Sequence, residues 1–221
     1  MIKIKTFEFN PFSENTYVVW DDISKEAILI DPGCYSSDEE KLLKSFIINN
    51  SLIPKYLINT HCHIDHILGN KFIKNEFDIL FYAPDGDLFL LKGLKQQSEM
   101  FGLSADDSPL PDQRLDEDVE LKIGEENFKL IYTPGHTPGG HCLVNYKHKI
   151  IFSGDLLFYE SIGRTDLPGG DYNTITHSLV NKIMKLDGEF VVNPGHGQST
   201  TINYEKSNNP FIIEMMKADE K

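Results

Sequence analysis

The chain has 221 residues, 40% of them hydrophobic, and carries 34 acidic against 21 Lys and Arg side chains, for a formal net charge of −13. That composition is enough to bury a large core in a compact soluble chain, as one domain or two fused halves. The acidic balance opposes nucleic-acid binding, because a protein that grips the phosphate backbone needs a basic face to release counterions.

The first ten residues, Met1 to Asn10, alternate like a strand over 3–9 and lack an uninterrupted apolar run, so neither secretion nor membrane spanning is expected. Further strands are expected at 16–20 and 27–30, the latter running into Asp31-Pro32-Gly33. Ser37-Asp38-Glu39-Glu40 reads as a capping box opening a helix that continues through 46–48. The apolar run Lys55 to Asn59 then leads into Thr60-His61-Cys62-His63-Ile64-Asp65-His66. Few structural needs would place three imidazoles and a carboxylate so close together. These are the donors that zinc, iron and manganese accept, and alternation in an extended segment turns His61 and His63 to one side. Asp65 and His66 fall where the strand should give way to a helix and can face a second, nearby position. That geometry suggests two metals. The same alternation turns Cys62 away, as a buried thiol beside the site.

Beyond this motif we expect a helix at 69–75, a strand at 79–82, a helix-like segment at 86–101, three strands between Glu120 and Phe152, a helix at 172–186 and a strand at 190–192. Three times an apolar run ends in glycine and one metal-competent residue: Thr133-Pro134-Gly135-His136, Ser153-Gly154-Asp155 and Asn193-Pro194-Gly195-His196. His141, His148 and His177 read as structural, in a loop, a hairpin turn and a helix. Two batches of strands with helices between and after them predict an α/β sandwich with helices on both outer faces. No repeat or linker divides the chain, so a single domain over 1–221 is expected. Three cysteines without a Cys-x-x-Cys spacing argue against a disulfide framework and fit a reducing cytoplasm.

These residues resemble the metallo-β-lactamase superfamily, whose signature is H-x-H-x-D-H followed by isolated His, Asp and His. The resemblance spans 61–196 and extends to Ile30-Asp31-Pro32-Gly33. Gly163-Arg164-Thr165-Asp166-Leu167-Pro168-Gly169-Gly170-Asp171 and Asn209-Pro210-Phe211 look like the single-domain, glyoxalase II-related branch. The resemblance implies the αββα four-layer sandwich, with the site at one end of two sheets. It implies that His61, His63 and His136 hold one divalent ion, that Asp65, His66 and His196 hold another, and that Asp155 bridges both. Asp65 and Asp155 would serve catalysis as well as binding. Zinc is the expected ion, with iron and manganese compatible with the same donors.

Two such ions can share a water and lower its pKa from ~15.7 toward ~7, so the implied activity is attack of a metal-bridging hydroxide on a small-molecule carbonyl. A thiolate leaves readily because its parent thiol has a pKa of about 8.5, which makes thioesters of the S-lactoylglutathione type the expected substrates. The stretch beyond His196 is too short for the helical substrate domain of glyoxalase II, so glutathione recognition through that region is not expected. Lys206 and Lys217 read as solvated helix charges. Arg164 either pairs with a substrate carboxylate or orders its own loop through Asp166 or Asp171. Persulfide dioxygenases of the same superfamily would use one iron on His61, His136 and Asp155, but the second set of donors favours a hydrolase. A third reading is a binding or regulatory protein that retains metal without turnover, whose usual mark, a lost ligand, is missing here; another ester or lactone hydrolase of this fold would use the same centre.

Overall fold

The computed structural model describes residues 1–219. The N-terminal alternation forms β1 (Ile2–Phe9), which pairs antiparallel with β2 (Glu14–Asp21), itself antiparallel to β3 (Glu26–Ile30). From β3 the sheet turns parallel through β4 (Ile53–Ile58), β5 (Leu80–Ala83) and the short β6 (Gln113–Arg114). The crossovers carry α1 (Ser37–Asn49), α2 (Ile64–Ile67), α3 (Asn70–Glu76), α4 (Leu88–Lys92) and α5 (Leu94–Met100).

The second sheet opens as an antiparallel meander of β7 (Glu120–Ile123), β8 (Glu126–Tyr132), β9 (His141–Asn145) and β10 (Ile150–Gly154). A small hairpin, β11 (Leu157–Phe158) with β12 (Ser161–Ile162), and α6 (Tyr172–Asn181) follow. The chain then adds β13 (Val191–Pro194) parallel to β10 and β14 (Thr200–Thr201) at the edge, and ends with α7 (Ile202–Asn208) and α8 (Pro210–Asp219). Among the described residues no helix is long and apolar enough to cross a membrane.

The burial pattern explains why these elements stack in four layers. Tyr17, Val19, Ile28, Ile30 and Ile58 of the first sheet meet Leu121, Phe128, Leu130, Leu143 and Phe152 of the second. The alternate residues of the same strands face outward: Val18, Leu29 and Leu57 pack on Leu43 and Ile47 of α1 and Ile64 and Ile67 of α2. On the other side Val144, Ile151 and Val192 pack on Ile175 and Leu179 of α6 and on Ile212 and Met215 of α8. Period-two alternation therefore splits each central strand between an inter-sheet core and a helix-covered outer core, which is the expected αββα sandwich.

Four expected boundaries move. The N-cap of α1 is Ser36, not Ser37, and its box partner is Glu39, because the Glu39 carboxylate accepts the backbone N–H groups of Ser36, Tyr35 and Asn10 together. The expected helix over 86–101 breaks at Gly93 into α4 and α5. Four strands rather than three lie between Glu120 and Phe152, since a turn at Gly124, with φ +55°, folds the first part into a β7–β8 hairpin. The helix from Tyr172 ends at Asn181, and a 3-10 turn over Ile183–Lys185 completes the span.

The topology decides where function can sit. β3 and β4 are parallel, β10 and β13 are parallel, and β8 runs with β10 because each is antiparallel to β9. The carboxyl ends of β8, β10 and β13 thus share one edge, and each releases one of the glycine-led motifs. The His136 loop is held there by close packing: a Cβ on Gly135, which has φ +135°, would overlap the backbone of Ile175 in α6. Gly135→Ala is expected to cost about 2–4 kcal/mol of stability in the metal-free protein. Gly102→Ala, at φ +70° with nothing within 4 Å, should cost about 1 kcal/mol. Urea unfolding of the two variants measures this, and equal midpoint shifts would show that the α6 contact does not constrain the loop.

Candidate metal centre

After β4 the chain passes through Asn59 and Thr60 into the histidine motif, and the first anchor is Asp31 at the end of β3. Asp31 holds φ +48°, a left-handed conformation that Asp tolerates better than most residues. Its two oxygens accept the Thr60 N–H at 2.7 Å and the Thr60 hydroxyl at 2.6 Å. The hydroxyl proton being spent on Asp31, Thr60 Oγ1 at 3.2 Å accepts from His61 Nδ1. His61 Nε2 is left buried with its lone pair free.

His63 caps the start of α2, and His136 reaches it from the loop after β8, with 2.8 Å between His63 Nδ1 and His136 Nε2. His136 Nδ1 donates to the Arg164 carbonyl at 2.7 Å, which turns Nε2 inward. Burial and the neighbouring charges of His66 and His63 hold His61 well below the usual imidazole range, and burial together with His136 lowers His63 to about 4. His61 and His63 therefore present neutral imidazoles, the form that binds a cation.

The other half is charged. His66 is fully buried on α2, with Nδ1 3.1 Å from Asp31 Oδ2 and Nε2 3.3 Å from Asp155 Oδ1. His196, from the loop after β13, has Nε2 3.1 Å from Asp65 Oδ2 and 3.5 Å from Asp155 Oδ2. Burial opposes charge on both imidazoles, but Asp155 and Asp65 outweigh it: His66 is raised well above the usual range and His196 to about 9. Burial likewise opposes ionisation of Asp65 and Asp155, and His66 and His196 overcome it, so both carboxyls are held low. Without a cation this half is neutralised by protons.

Two groups of donor atoms, each within 4.8 Å of one another, result: His61, His63 and His136, and Asp65, His66 and His196. Asp155 lies between them, with Oδ2 also 3.6 Å from His136 Nε2. His61 Nε2 and His63 Nε2 are buried without a hydrogen-bond partner, whereas His66 Nε2 and Asp155 Oδ1 face each other as an ion pair at 3.3 Å. Each such orphan costs about 1–3 kcal/mol unless something satisfies it. The donor set fits divalent ions that accept imidazole and carboxylate. A third grouping, Asp31 with His61 and His66, involves a carboxylate already committed to Thr60, and we read it as the brace behind the rings.

Every residue expected to bind metal thus comes together. Arg164 lies in the loop tied to His136, but its guanidinium is exposed and bound at two points by Asp166, with both contacts at 2.6 Å. Of the two expected loop partners it is Asp166 that pairs with Arg164, while Asp171 instead caps α6. His141 is buried and bonded to the Gly139 carbonyl, His148 sits beside Glu126 in the hairpin turn, and His177 lies on α6. Cys62 is buried as expected, its N–H bonded to Asp87.

Sequence reasoning missed the residues that hold the loops. Asn15 binds the His196 loop three times, from its backbone N–H to Gly195 O at 2.7 Å and from its side chain to Pro194 O and Gly197 O at 3.0 and 2.8 Å. Asp87 gathers the Cys62 N–H, the Thr137 hydroxyl and the Gly139 N–H, joining the two loops of the first donor group. Asn10 reaches the backbone carbonyls of Gly33 and Asp65. The available signal was Glu14-Asn15-Thr16, three polar residues opening a strand that is buried everywhere except at the half-buried Trp20.

A family model described as the metallo-beta-lactamase superfamily matches residues 9–196. Hydroxyacylglutathione hydrolase GloC of Haemophilus influenzae is 37% identical over 213 residues, covering 96% of this chain and 98% of that protein. Among solved structures, TTHA1623 in a di-iron-bound form is 35% identical with a TM-score of 0.84, covering 94% of this chain and 99% of that one. The BLEG-1 B3 metallo-beta-lactamase is 34% identical with a TM-score of 0.86, covering 95% and 99%. Fold, donor set and likeness agree, and the chain belongs to the metallo-β-lactamase superfamily of metal-dependent hydrolases.

Proposed function

We propose that the chain is a binuclear metallohydrolase that cleaves small acyl-thiol esters of the S-lactoylglutathione type, with zinc in both positions. The observation that carries this reading is the pair of complete donor groups with Asp155 between them. The 37% identity to a hydroxyacylglutathione hydrolase supports the substrate class. Three buried thiols without disulfide partners support a reducing, cytoplasmic setting.

His61, His63 and His136 would hold one ion, Asp65, His66 and His196 the other, and Asp155 both. Bound there, two divalent ions supply hydroxide at neutral pH and polarise the scissile carbonyl. The chain's own part is orientation. Asp65 and Asp155, held ionised, accept hydrogen bonds from the attacking water and point its lone pair at the carbonyl carbon. Cys142 is pushed up to about 12 by burial, and burial raises Cys34 and Cys62 as well, so none of the three thiols can act as the nucleophile at neutral pH. The water gives one proton to solvent on activation and its oxygen adds to the carbonyl carbon; the C–S bond breaks, the thiolate leaves without a proton donor, and the new carboxylic acid loses its remaining proton to solvent. Arg164, released from Asp166, would meet a substrate carboxylate near His136. The di-iron form of TTHA1623 makes iron the metal to test against zinc.

Metal binding must displace the protons on His66 and His196, so loading at pH 7 is expected to release roughly two protons per chain. Calorimetry in buffers of different ionisation enthalpy counts them, and a count near zero would contradict the charged second half. Chelation should lower stability by about 3–4 kcal/mol for each ion removed, relative to protein at a few hundred to a thousand times the dissociation constant of that ion.

Asp155→Asn is expected to bind at most one ion tightly and to lose more than about 100-fold in kcat. Elemental analysis and kinetics on one preparation decide this. Two retained ions with near-normal turnover would remove Asp155 from its bridging role. Oxygen uptake with glutathione persulfide and one iron per chain, without thioester cleavage, would place the chain with the dioxygenases.

Arg164→Ala should raise KM for S-lactoylglutathione about 10-fold with little change in kcat if the guanidinium takes a substrate carboxylate. An unchanged KM in steady-state assays would leave Arg164 as the partner of Asp166 alone.

A further inference from the structure

A groove of about 480 Å³ opens beside His196, lined by Phe158, Tyr159, Ser161, His196, Gly197 and Gln198. Its wall is mostly apolar, and apart from His196 no titrating acid or base lines it. The groove along β5 and β6 is different in kind, being lined by Asp85, Lys92, Asp112, Arg114 and Asp116. The Phe158 ring stands 6.1 Å from the His196 ring at an interplanar angle of 64°. Tyr159 is 38% exposed, and its hydroxyl is engaged by that of Tyr204. Tyr204 donates to Glu160 at 2.6 Å, so the 2.6 Å contact between the two tyrosines is donated by Tyr159. The two rings stack at 5.1 Å, which fixes Tyr159 in place. An aromatic surface is thus held open within a few atoms of the donor group that contains His196.

The surroundings of the centre are polarised. Arg164 lies on the His136 side, tied through its carbonyl to that imidazole. The apolar groove lies on the His196 side, across Asp155. A substrate spanning the centre places its charged end at Arg164 and its other end against Phe158 and Tyr159. We infer that the groove receives the acyl substituent and that the chain selects acyl groups bearing an aromatic ring over the small lactoyl group. This rests on the thioester reading above. The volume suits a phenyl ring with room for its approach, and a ring meeting two aromatic faces gains both burial and offset contact.

S-mandeloylglutathione and S-lactoylglutathione differ only in phenyl for methyl, so their ratio isolates the groove. For the zinc-loaded protein, kcat/KM is expected to favour the mandeloyl ester at least about 10-fold, mostly through KM. Phe158→Ala should bring the ratio to within about threefold of unity, and Gln198→Trp, which fills the groove, should invert it. The two variants change volume in opposite directions, so a shared folding defect cannot imitate both results. A wild-type ratio near one, or a ratio that survives both variants, would overturn the inference. If neither ester is cleaved, the thioester reading itself fails, and calorimetric binding of mandelate and lactate to the zinc-loaded protein then tests the groove. Mandelate bound about 10-fold more tightly, with the difference lost in Phe158→Ala, supports the apolar subsite; equal affinities dismiss it.

Discussion

Burying imidazoles and carboxylates against one another, with some of their nitrogens left without a partner and others paired only within the cluster, is the constraint on which the rest of this molecule depends. His61 and His66 lie with ring centroids 4.1 Å apart, and His61, His63 and His136 are all within 5.0 Å of one another. Left to relax, such groups would rotate outward to water or exclude each other's charge. Several orphans at about 1–3 kcal/mol each would consume much of the 5–15 kcal/mol that holds a typical domain together. They stay because the backbone around them is fixed from behind: Asp31 braces Thr60 and His66, Asp87 joins the loops of His63 and His136, and Asn15 holds the loop of His196. These braces make the arrangement a rigid receptor for cations rather than a chance cluster, and the two sheets pressed together by their shared core supply the platform.

The donors themselves were legible because their chemistry is local. His61, His63, Asp65 and His66 are contiguous, and His136, Asp155 and His196 each follow an apolar run and a glycine. The sandwich was legible for a related reason, since alternation in Val18 and Val19, or in Ile28 and Leu29, already divides residues between two faces. What could not be read was anything defined by distant partners. Asn15 acts on residues some 180 positions away, and nothing in its neighbourhood announces that. Asp87 looked like part of a helix because the expected segment began at Gly86, whereas Asp87 closes a 3-10 turn ahead of α4. The fine placement of the N-cap, Ser36 against Ser37, turned on a carboxylate that also serves the Asn10 N–H in the turn after β1.

The two halves of the centre differ in a way that bears on selectivity. One side offers neutral imidazoles, the other a balanced set of cationic imidazoles and carboxylates. The same asymmetry continues outward, with a guanidinium beyond the first and aromatic faces beyond the second. In the binding mode proposed above, a substrate would be read along an axis, its orientation following from charge at one end and burial at the other.

The direction of the strands carries one further consequence. Because β3, β8 and β10 end at the centre, the turns that precede them lie at the opposite pole: Asp22 to Lys25, Gly124 with Glu125, and Tyr146 to Lys149. Those turns hold no donor residue and none of the braces. The molecule therefore has a chemically silent end, where a label, a surface tether or an inserted peptide could be attached while the reactive end remains free and uniformly oriented.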